Sequence, residues 1–387
     1  MKPISNEEIE KYRALFPVTQ KWVYLNHAAV APISLKAVQA VEEFNRDALN
    51  EGYTAGPHWV KRFREVREAA ARLCGATPEE IAFVKNTSHG LSLIARGLDL
   101  QAGDEVILSD LEFPTNVYPW MALEKRGIVI KKLHSHGGAL RLEDLEKLVH
   151  SGTKVISLSS VQYGSGYRLP LSEIGKLCRD LGIHFFVDAI QSLGAFPLDV
   201  GQDKIDFLAA DAHKWMLGHE GIGILYVRKP LIEKIEPALL GWNSVHNPYA
   251  FDVIDFTLRK DAERFEEGSH NGMSIYSLGA AIDLLLEVGI ERIAQRLILL
   301  TDILISGLQE LGLSITNPLQ TENRSGIVTF RFNPERYSKN LGDLERHLYA
   351  RKYFVSLRQG SLRVSPHFYN TEAEIQGLLS EIKSFLA

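Results

Sequence analysis

Between Ile81 and Val227 the chain alternates short β-rich runs with stretches of helical period, and this alternation limits the fold more than any other feature. The runs fall at 81–84, 105–109, 128–133, 154–158, 184–187, 207–209 and 222–227, with helical stretches such as 171–181 between several of them. Strands separated by helices are joined by crossovers and pair in parallel, and a parallel sheet needs apolar cover on both faces. The expected fold is therefore α/β, with a large domain at 25–258 built on a mostly parallel seven-stranded sheet. Beyond about residue 256 the pattern changes to a long helical segment at 275–311, a strand-like 326–332 and a helix at 341–351. Short β runs at 354–357 and 362–365 and a terminal helix from Glu372 follow. This second part reads as a smaller α+β domain formed by 259–387 together with 1–24. A length of 387 residues exceeds what one compact core usually holds, in keeping with two lobes.

Composition removes several function classes. A formal charge of −5 with no Lys/Arg run argues against nucleic acid or an anionic membrane as the main partner. The opening Met-Lys-Pro-Ile-Ser-Asn-Glu-Glu has no secretory apolar stretch, and apolar runs elsewhere are interrupted by charge, so the expected location is the cytoplasm. Two cysteines make neither a disulfide framework nor a cysteine metal site. Cys74 ends an Ala-rich helical run before Gly75, and Cys178 shares a helix face with Ile174, Leu177 and Leu181. Both read as small buried apolar residues. His134 and His136 lack a matching acidic partner, and no metal site is expected.

Four stretches at strand ends carry candidate chemistry, each with a bland alternative. Lys214, in Asp211-Ala212-His213-Lys214-Trp215, is either a surface charge or a desolvated amine suited to imine formation. Asp188, closing the run before Ala189-Ile190-Gln191, can cap a helix, bind a metal or sit beside a cofactor's ring nitrogen, with Gln191 three residues on as a neutral donor. Asn86-Thr87-Ser88-His89-Gly90 makes a capped helix start, and the same free N–H groups and hydroxyls form a phosphate cradle. Phe113, in Glu112-Phe113-Pro114-Thr115-Asn116, is a core residue or a ring that stacks on a heteroaromatic.

In order and spacing these stretches together resemble the class V aminotransferase family of pyridoxal 5′-phosphate (PLP) enzymes, which have fold type I. Neighbours in that family are the cysteine desulfurases, selenocysteine lyases, kynureninases and isopenicillin-N-epimerase-like proteins. Tyr24-Leu25-Asn26-His27-Ala28-Ala29-Val30-Ala31-Pro32 and Arg264-Phe265-Glu266-Glu267-Gly268-Ser269 are similar to family segments as well, so the resemblance runs from Tyr24 to Asn370. It implies that Lys214 is the Schiff-base lysine and moves the proton at Cα. Asp188 pairs with the pyridine nitrogen and Gln191 with the phenolic oxygen. Phe113 lies on the ring, and Thr87 and Ser88 hold the phosphate with His213 beside it. Ser269 reaches the partner subunit's phosphate, with Trp242 a weaker addition, which implies a homodimer with active sites at the interface. Arg363 grips the substrate's α-carboxylate, and Asn26 and His27 are expected at the substrate, an α-amino acid. His89, Asn116 and Gln162 are further candidates for pocket detail.

Two departures narrow the expected reaction. Phe113 stands where desulfurases place a titratable histidine, and Val355-Ser356-Leu357-Arg358-Gln359-Gly360-Ser361-Leu362-Arg363 carries no cysteine before the arginine. These departures lead to the expectation of a transaminase or a β-eliminating C–S type lyase, not a persulfide-forming cysteine desulfurase. An epimerase-like or kynureninase-like outcome comes next. Asp211 replaces a phosphate-binding serine of many relatives and is expected to point away from the phosphate. A non-catalytic PLP-binding regulator would need a DNA-binding domain. A nucleotide-binding protein would need a Gly-rich strand–helix turn, whereas Gly221-Ile222-Gly223 precedes a strand.

Overall fold

The computed structural model describes residues 2–334, 336–337 and 339–387. Its centre is a seven-stranded sheet of β1 (Ile81–Val84), β2 (Glu105–Ser109), β3 (Val129–Leu133), β4 (Thr153–Ser159), β5 (His184–Asp188), β6 (Phe207–Asp211) and β7 (Gly223–Val227). The strands lie in the order β1-β7-β6-β5-β4-β2-β3. Only β7 runs against its two neighbours, and the other pairs are parallel. Every residue of β1, β2, β6 and β7 is buried, which is why those segments read as continuous apolar runs without alternation. The mostly parallel sheet expected from the sequence is present, with β5 and β6 longer by one and two residues. The extension matters for chemistry, because Asp188 and Asp211 are the last residues of strands and inherit strand-borne positions.

Helices cover both faces. On one side α2 (Leu35–Asn50) and α3 (Gly56–Cys74) pack with α6 (Gly272–Val288) over Ile156, Leu208, Ala210 and Ile224. On the other, α4 (Thr87–Gly97) presses Leu91 and Ile94 onto Val106, Phe186, Phe207 and Leu225. A Cβ at Gly90 would come within 3.0 Å of the Ala209 Cβ, so this glycine lets the start of α4 sit directly on the sheet. The helix α5 (Leu171–Leu181) ends at Gly182 in the left-handed conformation, φ +67°. The expected long helix at 275–311 is two, α6 and α7 (Ile290–Glu310), bent by 77° at Gly289. Among the described residues no single helix is long and apolar enough to cross a membrane.

A second, antiparallel sheet has the order β10-β11-β9-β8, with β8 (Ser314–Ile315), β9 (Val328–Arg331), β10 (Ser356–Arg358) and β11 (Ser361–Val364). Val328, Phe330, Leu362 and Val364 point to one side, into a core closed by α7, α8 (Leu341–Ala350), α9 (Glu372–Leu386) and Leu25. The alternate residues form a polar face. The N-terminal helix α1 (Asn6–Arg13), opened by a Ser5–Glu8 capping box, is tied to the same region. Phe16, just beyond it, stacks on Tyr369 at 3.9 Å between centroids. Arg13 pairs with Glu374 at 2.6 Å.

Candidate active site

The carboxyl ends of β5 and β6 bring Asp188 and Lys214 into electrostatic reach of each other. Asp188 is 1% exposed, and its Oδ1 accepts from the Ile190 N–H at 3.1 Å. Among the described residues no cation forms a salt bridge with it. Burial pushes its pKa up to about 7, with the Glu112 charge adding to the rise and Lys214 opposing it. Lys214 is the third residue after β6, in a turn tightened by Gly218 N–H to Ala212 O at 2.9 Å and by Leu217 in the left-handed region, φ +60°. Its amine makes no hydrogen bond or salt bridge among the described residues and lies 5.7 Å from the Phe113 ring centroid. Desolvation lowers its pKa to about 8, Asp188 opposing and Arg363 reinforcing the fall. Gln191 is held at both ends of its amide, by Trp215 Nε1 donating to Oε1 at 2.8 Å and by its own Nε2 donating to Ala28 O at 3.0 Å.

Beside this group, α4 begins at Thr87. Asn86 Oδ1 caps it by accepting from His89 N–H at 2.9 Å, while Thr87 Oγ1 is buried with no partner. Ser88 Oγ lies 3.0 Å from Thr115 Oγ1. His89 accepts from the Lys85 N–H, and its Nε2 is buried without a partner. Asp211 is buried with Oδ1 3.0 Å from His213 Nδ1, so its carboxylate is turned to the histidine. Phe113 is 45% exposed and meets Tyr163 edge-on at 5.1 Å.

The residue before Phe113 is one that the sequence did not single out. Glu112 is a buried carboxylate that accepts from Ser159 N–H at 3.0 Å, Ser159 Oγ, Asn116 Nδ2 at 2.8 Å, Gln162 Nε2 at 2.8 Å and Ser109 Oγ at 3.2 Å. Asn116 and Gln162 thus anchor the Phe113 loop through Glu112. Half of this network leaves no local signal, because the donors Ser159 and Gln162 lie 47 and 50 residues away in sequence.

On the polar face of the second sheet, Arg363 is 2% exposed and donates from Nη1 to Tyr163 O at 3.0 Å. Its Nε is buried without a partner, and no carboxylate pairs with it among the described residues. Asn26 Oδ1 accepts from Ser356 Oγ at 2.9 Å, leaving its amide nitrogen uncommitted. His27 differs, since both ring nitrogens are taken, Nδ1 by Ser365 O at 2.9 Å and Nε2 by the Tyr369 hydroxyl at 2.6 Å. Burial holds its pKa well below the usual value, so it is a neutral strut with no nitrogen left for a ligand. Ser269 lies elsewhere, in a surface cleft of about 910 Å³ with Trp242, Tyr249, Phe251 and His270. The hairpin before Arg363 is a two-residue turn, Gln359 (φ +50°) and Gly360 (φ +72°), with no room for a loop. Both cysteines are buried, and burial raises each thiol to about 12.

Comparisons with known proteins bear on this geometry. The family model for aminotransferase class-V matches residues 23–378. A probable cysteine desulfurase of Pyrococcus abyssi is 29% identical over 96% of this chain and 97% of its own. One of Methanothermobacter thermautotrophicus is 30% identical over 96% of each. The apo structure of a cysteine desulfurase from Thermococcus onnurineus superposes with a TM-score of 0.89 at 27% identity, covering 97% of this chain and 98% of that one. These relatives overturn the expectation that excluded a persulfide-forming cysteine desulfurase. That exclusion rested on two positions, Phe113 and the cysteine-free hairpin, whereas the likeness extends over nearly the whole of both chains. The chain belongs to the class-V aminotransferases, and its cofactor is PLP.

Proposed function

We propose that the protein is a PLP-dependent lyase of the desulfurase kind, which cleaves the C–S bond of a sulfur-bearing α-amino acid, and that it works as a homodimer. The observation that carries this reading is a buried, cation-free Asp188 beside an amine, Lys214, that has no salt-bridge partner among the described residues, in a chain whose full-length relatives bear the desulfurase name. A protonated pyridine nitrogen is the partner such a carboxylate needs. Thr87 Oγ1, Ser88, the free N–H groups opening α4 and His213 suit a phosphate. The second N–H of Gln191 Nε2 suits the phenolic oxygen, and the exposed face of Phe113 the ring.

Bound PLP supplies an electron sink for the carbanion at the substrate's Cα. Lys214 would hold it, and its amine would carry the Cα proton, for which a depressed pKa is the right setting. Arg363 and the Asn26 amide hold and orient the α-carboxylate, an arginine fork matching it bidentately. His27 and Tyr369 brace that strand from behind. Phe113 has no titratable group, so a proton for departing sulfur comes from Lys214 or solvent. That same feature favours transamination as the second reading. Ser269 and the exposed Trp242, Tyr249 and Phe251 support an interface with a second copy, where Ser269 meets the partner's phosphate.

The test is a visible spectrum of purified protein with and without borohydride, alongside Lys214→Ala, followed by L-cysteine. A reducible band lost in Lys214→Ala, with sulfide, ammonia and pyruvate formed, or with alanine formed when an added thiol accepts the sulfur as a persulfide, is the expected result. Accumulation of aminated cofactor without sulfur release assigns a transaminase instead. Absence of the band in PLP-supplemented parent protein removes the cofactor role of Lys214.

A further inference from the structure

Alternation along β9–β11 leaves three arginines on one face. Val328, Phe330, Leu362 and Val364 are buried in the core, so Thr329, Arg331, Ser356, Arg358, Ser361 and Arg363 share the opposite side. The register puts Ser356 across from Arg363 and Arg358 across from Ser361, and it brings Arg331 to the other flank of Ser361. Arg358 and Arg363 are thus diagonal neighbours on adjacent strands, about 7–8 Å apart at the backbone and within reach for long side chains. None of the three pairs with a carboxylate among the described residues. Arg363 Nη1 donates to Tyr163 O, Arg358 Nη1 to Leu357 O at 2.7 Å, and Arg331 to Ser361 Oγ and Gln359 O, each at 2.8 Å.

The turn that carries Arg358 is fixed against the active site. Gln359 Nε2 donates to the Tyr163 hydroxyl at 2.8 Å, and Tyr163 in turn meets Phe113, whose ring faces Lys214. The charge of Arg358 is felt at both Lys214 and Arg363, lowering the pKa of each. Like charges arranged this way repel one another, and an anion between them removes the conflict. One α-carboxylate satisfies Arg363 and leaves Arg358 with no counter-charge among the described residues.

We infer that Arg358, on a turn clamped by Arg331, is a second anion site, and that the substrate is a sulfur-bearing α-amino acid whose side chain also carries an anionic oxygen group, either a carboxylate or an oxidised sulfur. This rests on Arg363 taking the α-carboxylate as proposed above. The planar fork of Arg358 suits either oxyanion.

The experiment measures dissociation constants of L-alanine, L-aspartate and L-cysteine sulfinate from the shift of the cofactor band in parent holoenzyme, Arg358→Gln and Arg358→Lys. In the parent, the two anionic side chains bind about tenfold or more tighter than alanine, the scale of one charge-assisted contact. In Arg358→Gln that ratio falls to near one, and Arg358→Lys keeps part of it. Equal affinities in the parent, or a ratio unchanged in Arg358→Gln, overturns the inference while the reading of Lys214 and Arg363 stands. Failure of all three amino acids to move the band overturns both.

Discussion

A lysine amine adds to an aldehyde only when neutral, and Lys214 sits where neutrality comes early. Desolvation and the charges of Arg363 and Arg358 lower its pKa to about 8, against the opposing pull of Asp188. The neutral fraction therefore grows as pH rises through about 8 instead of through the ordinary lysine value of 10.5. PLP uptake by apoprotein, followed by its visible band, is expected to quicken up to that pH and then level off. A rate still climbing steeply well beyond it, as an ordinary lysine gives, contradicts the assignment. If Asp188 pairs with the ring nitrogen as proposed, Asp188→Asn is expected to lower turnover by roughly a hundredfold or more, within the range for removing one preorganised charge, with the cofactor band retained. At this scale the placement of Lys214, Asp188 and Gln191 at or just beyond strand ends was legible, because buried apolar runs stop there and turns follow. His27 was not, since its partners Ser365 and Tyr369 lie more than three hundred residues on and consume both nitrogens. Glu112 escaped notice for a similar reason.

Elements were readable wherever burial on both faces produced an unbroken apolar run, as in β2, β6 and β7, but the reversed direction of β7 leaves no mark on its composition. The bend at Gly289 was missed because apolar period continues on both sides of it, and only the glycine's φ of +91° marks the break. Long-range ties between elements were also invisible, and one of them anchors the segment before Ser269. Arg67 on α3 reaches Glu266 at 2.6 and 3.0 Å and Ile81 O at 2.6 Å, while Glu266 also accepts from Phe83 N–H and contacts His270. Burial alone would raise the Glu266 pKa, but the Arg67 charge and the His270 and Arg67 bonds bring it down to about 2. Its stabilising contribution is thus full above the ordinary glutamate value of 4.5 and fades as pH falls toward about 2. Arg67→Ala strands the buried carboxylate and is expected to cost about 3–5 kcal/mol in denaturant unfolding near neutral pH, with the gap to the parent narrowing in acid. A loss under about 1 kcal/mol means that the pair is relaxed and solvated, as surface pairs are.

Across the whole molecule the segment at 239–256 is the part least explained by a single chain. Ile254 is 97% exposed and Phe251 69%, and Trp242, Tyr249 and Phe251 contact one another with their rings open to solvent. Single exposed apolar residues are ordinary, but a contiguous aromatic patch beside a cleft calls for a cover. The sequence could not separate these residues from core, because composition is the same whether an apolar side chain is buried by its own chain or by another. Ser269 opens onto this cleft and not onto the Lys214 group. If it serves a phosphate, that phosphate belongs to a second copy, and assembly and cofactor retention must then fall together. Phe251→Asp and Ile254→Asp are accordingly expected to shift the proposed dimer to monomer in sedimentation. The same variants should release PLP about tenfold more readily on dilution, the scale of one lost charge-assisted contact, although neither residue touches the Lys214 pocket of its own chain. A variant that becomes monomeric yet keeps its cofactor as tightly as the parent separates the two, and it leaves Ser269 with no part in the phosphate site. A variant that stays dimeric places the interface on another face of the molecule.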